Sequence, residues 1–159
     1  MSLDNKFEDL LLNVSIKAAI STYPYLGKKN KVAADKAAVD TMRSELNKID
    51  MKGEIVIGEG ELDEAPMLYI GEKLGTMNGP SLDIAVDPLE GTNFAAYNLP
   101  GALSVIAIAE KSNLFNAPEI SPSEINFILT PRDFNSSICF LCLGLSSRQA
   151  VRFSGFKFL

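Results

Sequence analysis

The chain has 159 residues, of which 47% are hydrophobic and 22% charged, as in a soluble globular domain with its own core. Its net charge of −5, with no basic stripe beyond Lys28, Lys29 and Lys31, predicts no nucleic-acid partner. The absence of histidine excludes histidine-based acid–base catalysis, histidine-ligated zinc and serine–histidine triads. Carboxylates are therefore the available reactive groups.

The first predicted elements are two helices. Phe7, Leu10, Leu11 and Val14 recur at helical spacing, which predicts an amphipathic helix over residues 4–22. A second helix is predicted from Ala33 to Asn47, with Asp35 near its start.

Two strands and a short helix are predicted next. The β-branched run "GEIVIGEGE" and the alternating run "SLDIAVDP" predict strands that give way to turns at Glu59 and Asp87. Between them, "DEAPMLYIGEKLG" predicts a short helix with Pro66 in its first turn and Gly75 at its end. "GALSVIAIAEK" predicts a further strand, too apolar for an exposed edge.

The composition changes after Glu119. Residues 1–119 carry a net charge of −7, whereas residues 120–159 carry +2 and contain six of the nine phenylalanines and both cysteines, Cys139 and Cys142. In this tail, "SSICFLCLGLSS" has no clear helical or strand periodicity and is too short to span a bilayer. No membrane span and no export signal are recognised, so we expect no membrane partner and a cytoplasmic location.

The stretch "DPLEGT" gathers Asp87, Glu90, Gly91 and Thr92 in six positions. Hard divalent cations such as Mg²⁺ or Mn²⁺ take oxygen ligands, and two carboxylates on either side of a proline turn can supply them. The backbone after Gly91 can receive a phosphate, and the Thr92 hydroxyl can orient a water. For this motif alone, a turn with solvated acids is the more frequent interpretation.

Further acids strengthen the metal hypothesis. "GEGELDEAP" places Glu59, Glu61, Asp63 and Glu64 beside two glycines, although a solvated acidic loop is an alternative. Asp35 alone is typical of a negative residue near a helix N-terminus.

Taken together, "VIGEGELDEAPMLYIGEKLG", "DIAVDPLEGT" and "NAPE" resemble class II fructose-1,6-bisphosphatase over residues 1 to about 119. The resemblance implies an α+β chain, the N-terminal part of the layered α/β/α/β/α fold of fructose-1,6-bisphosphatase and inositol monophosphatase-like sugar phosphatases. It implies hydrolysis of the 1-phosphate of fructose 1,6-bisphosphate in gluconeogenesis, with sedoheptulose 1,7-bisphosphate as a second substrate of some members. A homo-oligomer is one candidate assembly.

The resemblance also implies functional residues and a cofactor, which is Mn²⁺ or Mg²⁺. The implied metal ligands are Asp35, Glu59, Asp87 and Glu90. Glu90, Gly91 and Thr92 would contact substrate, Thr92 would orient the attacking water, and Asp63 is a second candidate for assisting that water.

The sequence departs from the family in two places. Around Asp35 the family pattern D-K-N-x-A-D-G-A-A is altered at Asn30, Val32 and Lys36. After Glu119 no family motif follows, so residues 120–159 are expected to be a divergent or out-of-frame tail. A further metal ligand, further substrate contacts and the second half of the family's chain have no counterpart here. The alternative hypothesis is therefore a truncated, catalytically inactive product that binds metal weakly.

Overall fold

A computed structural model describes residues 5–58, 67–114, 139–145 and 152–153, with side chains described at 7–58 and 67–114. Along these ranges helices and strands alternate irregularly, and the strands form one mixed sheet. The expected α+β class is confirmed. None of the helices in these ranges is long and apolar enough to cross a membrane.

Both predicted N-terminal helices form. Helix α1 spans Asn5–Thr22 and helix α2 spans Lys31–Leu46. Helix α2 begins two residues earlier than predicted because the Asn30 side chain accepts a 3.1 Å hydrogen bond from the Ala33 backbone N–H, which caps the first turn.

Six strands form the sheet within the described residues. They are β1 (Lys52–Ile57), β2 (Lys73–Leu74), β3 (Ser81–Glu90), β4 (Ala102–Glu110), β5 (Cys139–Leu145) and β6 (Arg152–Phe153), in the order β2-β1-β3-β4-β5-β6. Strand β1 pairs with β3 in parallel, and the other neighbours are antiparallel. Strand β4 lies between β3 and β5, so its predicted interior position is confirmed.

The core lies between the two helices and one face of the sheet. Leu11 of α1, Met42 of α2 and Ile84 of β3 belong to one buried cluster. A smaller second cluster lies at the start of α2, where alanines contact Leu89 near the end of β3. Helix α3, Thr92–Ala96, follows β3 directly and supplies Ala95 to this second cluster.

The short helix predicted over 63–75 is wrong in its described part. Residues 67–72 are irregular with a turn at 70–71, and residues 73–74 are β2, which pairs with Gly53 and Glu54 of β1. Gly71 and Gly75 have φ values of +90° and +99°, a left-handed backbone that a right-handed helix cannot contain. Pro66 lies outside the described residues.

Two further expectations differ from the structure. Strand β3 does not stop at Asp87 but continues to Glu90, with a shift in its register against β4 between these two residues. In the tail, residues without a clear strand pattern form β5, which pairs along β4 from Ala102 to Ile108. Residues 139–145 form a strand because they pair with the apolar strand β4 at seven positions, although their own periodicity did not indicate a strand.

Candidate functional site

Asp87 lies half-buried on β3, where the register of the strand shifts. Its Oδ1 accepts a 3.1 Å hydrogen bond from the backbone N–H of Leu89. The intervening Pro88 has no N–H to offer the ladder, and an aspartate that binds the N–H two residues later forms the local turn typical of Asp-Pro sequences. The strand is thus locally distorted at the carboxylate.

Gly91 redirects the chain from β3 into helix α3. Its φ is +76°, and a Cβ at this position would lie only 2.7 Å from Cδ2 of Phe94. The Gly91 carbonyl accepts a 2.8 Å hydrogen bond from the Phe94 N–H. As a result Glu90 is exposed on one side of this turn, and Thr92 is half-buried at the first position of α3 on the other.

Asp35 approaches the same region from helix α2. Its neighbours Ala34 and Ala38 pack against Leu89 and Ala95, which brings the first turns of α2 against the end of β3 and against α3. The small alanine side chains allow this close approach. The loop before α2 is also attached to α3, because the Gly27 N–H donates to the Ala95 carbonyl at 3.1 Å.

Asp35 carries an uncompensated oxygen. Its Oδ1 is buried and has no hydrogen-bond partner among the described residues. Burial of the carboxyl group raises its pKa, since removal of water disfavours the charged form. A carboxylate in this state is suited to receive a cation, because a positive ligand offsets its desolvation.

The donor set fits a hard divalent ion only in part. Asp35, Asp87 and Glu90 are oxygen donors, and the orphaned Asp35 oxygen is an available ligand. Within the ranges that the structure describes, however, no three acidic, cysteine or histidine side chains are grouped to hold a metal. Glu59 and Asp63 lie outside those ranges, so a full ligand set requires at least Glu59 in addition. The assignment of all these residues stays a prediction.

The packing residues that place Asp35 were not predicted from the sequence. Ala34 and Ala38 occur one helical turn apart in "AADKAA", which is a recognisable small-residue spacing on a helix. Their significance depends on Leu89 and Ala95, which are distant in sequence, and a single sequence does not show that pairing.

Comparison with known proteins places these motifs in a wider context. Residues 6–131 match the family model described as bacterial fructose-1,6-bisphosphatase, glpX-encoded. The match extends twelve residues beyond the motif resemblance, which ends at Glu119, and the division of the chain at that residue stays a prediction.

Several curated relatives are named D-fructose 1,6-bisphosphatase class 2/sedoheptulose 1,7-bisphosphatase. The protein from Synechococcus sp. (strain CC9902) is 51% identical over 117 residues, which are 74% of this chain and 35% of the relative. The one from Prochlorococcus marinus (strain MIT 9515) is 54% identical over 109 residues, 69% of this chain and 33% of the relative. The chain thus spans about a third of the length of these relatives. Among solved structures, an extragenic suppressor from Pyrococcus furiosus aligns with a TM-score of 0.43 and 15% identity, over 67% of this chain and 41% of that chain.

Proposed function

Because this chain belongs to the family of bacterial glpX-encoded fructose-1,6-bisphosphatases, we propose that it carries the metal-binding corner of a sugar-bisphosphatase site. The reaction is hydrolysis of the 1-phosphate of fructose 1,6-bisphosphate to fructose 6-phosphate. Sedoheptulose 1,7-bisphosphate is a second proposed substrate, since the relatives' names include it. The observation that carries the proposal is the buried Oδ1 of Asp35 near the end of β3, which has no hydrogen-bond partner in the part of the chain that the structure describes.

The proposed cofactor is Mn²⁺ or Mg²⁺, held by Asp35, Glu59, Asp87 and Glu90. When bound, such ions stabilise the negative charge that develops on a phosphate during hydrolysis. All four proposed ligands are oxygen donors, which hard divalent ions prefer. The chain has no histidine to offer a competing nitrogen ligand.

The chain's own residues would then position substrate and water. Glu90 ends β3, Gly91 forms the turn and Thr92 begins α3; these three residues are proposed to contact the substrate phosphate. The Thr92 hydroxyl is proposed to orient the attacking water, and Asp63 is a second candidate for that task. The left-handed backbone at Gly91 supports this assignment, since it fixes the direction in which the chain leaves the carboxylates.

The setting of this activity is proposed from family membership. We place it in the cytoplasm and in gluconeogenesis, with a sugar bisphosphate as small-molecule partner and a homo-oligomer as the assembly. The net charge of −5 supports a chain without a nucleic-acid partner.

A second candidate function is metal binding without turnover. The short match to the relatives favours it, because this chain aligns with only about 35% of their length. Two-metal hydrolysis requires the ions, the water and the phosphate to be held in register, and small losses of position reduce the rate by orders of magnitude.

Titration with Mn²⁺ tests the proposed metal site. We expect Asp35→Asn, Glu59→Ala and Asp87→Ala each to weaken Mn²⁺ binding by at least about tenfold, since each removes a carboxylate ligand. Asp40→Asn is the matched control, because Asp40 is an exposed acid on the same helix, paired with Lys36 at 3.0 Å. Unchanged affinity in all three variants would exclude the site.

Phosphate release separates the two candidate functions. Fructose 1,6-bisphosphate is incubated with the chain at saturating Mn²⁺, in parallel with the Asp87→Ala variant. Turnover of about 10 s⁻¹, an ordinary enzyme rate, that disappears in the variant supports the phosphatase. Metal binding with no phosphate release above the variant supports the second candidate.

A further inference from the structure

An open pocket of about 260 Å³ lies at the end of the sheet where β1 and β3 begin. Three lysines line it, namely Lys52 of β1, Lys73 of β2 and Lys111 just after β4, together with Ser81 at the start of β3. We call it the lysine pocket. Strand β3 runs ten residues from here to Glu90, so the proposed metal site lies about 30 Å away, at the other end of the strand.

Strand pairing places the side chains of the lysine pocket on one face of the sheet. Lys52 pairs in register with Ser81 across β1 and β3, and Lys73 pairs with Glu54 across β2 and β1. Lys52 and Glu54 are two residues apart on β1, so they share a face. The Lys111 N–H donates to the Ser81 carbonyl at 3.1 Å, which attaches the third lysine to the start of β3.

The three lysines differ in how their charge is compensated. Lys111 lies 3.0 Å from Asp83 and 3.1 Å from Glu54, so it belongs to ion pairs within the sheet. Lys52 and Lys73 are exposed, and neither forms an ion pair with any residue that the structure describes. Three lysines thus face two carboxylates, a local excess of positive charge in a chain whose net charge is −5. Two of these lysines are available to an anion.

We propose that the lysine pocket binds a phosphate dianion, with Lys52 and Lys73 as its charged ligands and the Ser81 hydroxyl as a further donor. A lysine ammonium binds phosphate as a point charge with three rotatable donors, and two of them match a double negative charge. The pocket is smaller than the roughly 300–1,000 Å³ of sites for drug-sized ligands, so a small oxyanion suits it. The phosphate is free or belongs to a small ester, whose carbon atoms would contact Met77 in the same lining.

Glu54 limits the affinity of this pocket. Its carboxylate is part of the lining and lies 3.1 Å from Nζ of Lys111. It therefore repels an incoming anion and also occupies one of the three lysines. Glu54→Gln should tighten phosphate binding, whereas removal of either available lysine should weaken it. These opposite signs within one pocket are the signature that the experiment seeks.

The experiment is titration of the full chain with inorganic phosphate, in the presence of a chelator so that no divalent metal ion contributes. Nuclear magnetic resonance shifts of the backbone amides of Gly53, Lys73 and Ser81 report on this pocket and not on the turn after β3. We expect Lys52→Gln and Lys73→Gln each to raise the dissociation constant at least about fivefold, the scale of one charge about 4 Å from the ligand in water. Glu54→Gln should lower it about threefold, a smaller effect because solvent screens a repulsion at longer range.

Glu45→Gln is the matched control. Glu45 is also an acid between two lysines, since it accepts from Lys17 at 2.8 Å and from Lys48 at 2.6 Å, but it is not part of the pocket lining. This variant should leave the phosphate affinity unchanged, and chloride at equal ionic strength should produce no saturable shift. Glycerol phosphate distinguishes the two sources of the dianion. Tighter binding than inorganic phosphate, with a shift at Met77, indicates an ester, and equal or weaker binding indicates the free ion.

Three results would overturn the proposal. The first is the absence of a saturable shift at the pocket amides with either phosphate compound. The second is an affinity that both lysine variants leave unchanged. The third is an equal gain in Glu45→Gln and Glu54→Gln, which would reflect net charge alone. Circular dichroism checks that each variant is folded, and one folded lysine variant is enough for the decision. None of these results bears on the proposed metal site at the other end of β3.

Discussion

Two carboxylates that lie near opposite ends of strand β3, Asp83 and Asp35, have different surroundings. Near its start, Asp83 is 1% exposed, and its Oδ1 lies 3.0 Å from Nζ of Lys111, an ion-pair contact that does not have hydrogen-bond geometry. Its Oδ2 accepts a 3.3 Å hydrogen bond from the Leu114 N–H. Near the other end, Asp35 has a buried Oδ1 with no hydrogen-bond partner among the described residues. The charge of a carboxylate that lies beside a lysine of the same protein is already compensated. A carboxylate without such a partner can still bind a cation from solution.

At the start of β3, the charged side chains pair with one another. Lys111 also contacts Glu54 of β1 at 3.1 Å, and Glu54 pairs in register with Asp83. Its contacts with Asp83 and then with Glu54 raise the pKa of Lys111, so that the ammonium group stays charged in the folded protein. We therefore interpret this pairing as structural, whereas the proposed metal site lies at the Asp35 end.

The largest effect on this comparison is expected from Asp83→Ala. Removal of the buried carboxylate leaves the Leu114 N–H without its acceptor and Lys111 with only Glu54. We expect a loss of about 2–3 kcal/mol in the free energy of unfolding, measured with urea. Asp40→Ala, an exposed acid, should change it by less than about 0.5 kcal/mol. A loss in Asp83→Ala no larger than in this control would contradict a structural role for that end.

The second prediction concerns backbone strain at the site end of β3. Gly91→Ala must adopt a φ of +76° and bring its Cβ to 2.7 Å from Cδ2 of Phe94, so we expect a loss of about 2 kcal/mol. Gly71→Ala is the matched control, because Gly71 also has a positive φ of +90° but nothing within 4 Å of its Cβ position. It should lose about 1 kcal/mol. Equal losses of unfolding free energy in the two variants would show that the Phe94 ring moves aside and does not fix the turn.

Much of the fold could be predicted because its elements carry local signals. Helices α1 and α2 and strands β1, β3 and β4 follow from hydrophobic periodicity alone. The helix predicted across Gly71 failed because apolar residues there are buried by tertiary packing, Leu68 and Leu74 among them, in a turn and a short strand. Strand β5 was missed because its evidence is the neighbouring β4, not its own pattern.

The candidate site could be predicted by residue type but not by arrangement. The motif "DPLEGT" supplies Asp87, Glu90 and Thr92 as candidates, and their assignment stays a prediction. The approach of Asp35 depends on alanines of α2 that meet Leu89 across the chain. The ion pair between Arg43 and Glu72 joins residues 29 positions apart, and neither has a local motif. Long-range contacts of this kind are not encoded in periodicity.

The third prediction reverses the usual sign of a mutation. Burial raises the pKa of Asp35, so its charged form is disfavoured in the folded protein at neutral pH. Asp35→Asn removes that charge, and we expect the metal-free protein to gain about 0.5 kcal/mol, a small figure because the group is only partly buried. The measurement is urea unfolding with a chelator present, and Asp40→Asn is the control. A loss of stability in Asp35→Asn would mean that the carboxylate is already compensated, like Asp83.

The smallest expected effect is the loss of stability when the surface ion pairs of Glu45 are removed. Hydrogen bonds from Lys17 and then Lys48 lower the pKa of Glu45 below its usual 4.5. A lowered pKa contributes stability above pH 4.5, and that stability is lost as the pH falls through the folded-state value. We expect Glu45→Gln to cost about 0.3 kcal/mol at neutral pH, because both lysines are exposed and their ion pairs with Glu45 are screened by water. Urea unfolding of wild type and variant should show this gap closing below pH 4.5, and the gap should be absent when Lys17 and Lys48 are both methionine. A gap as large as that of Asp83→Ala would remove the distinction between a surface pair and the buried one at the start of β3.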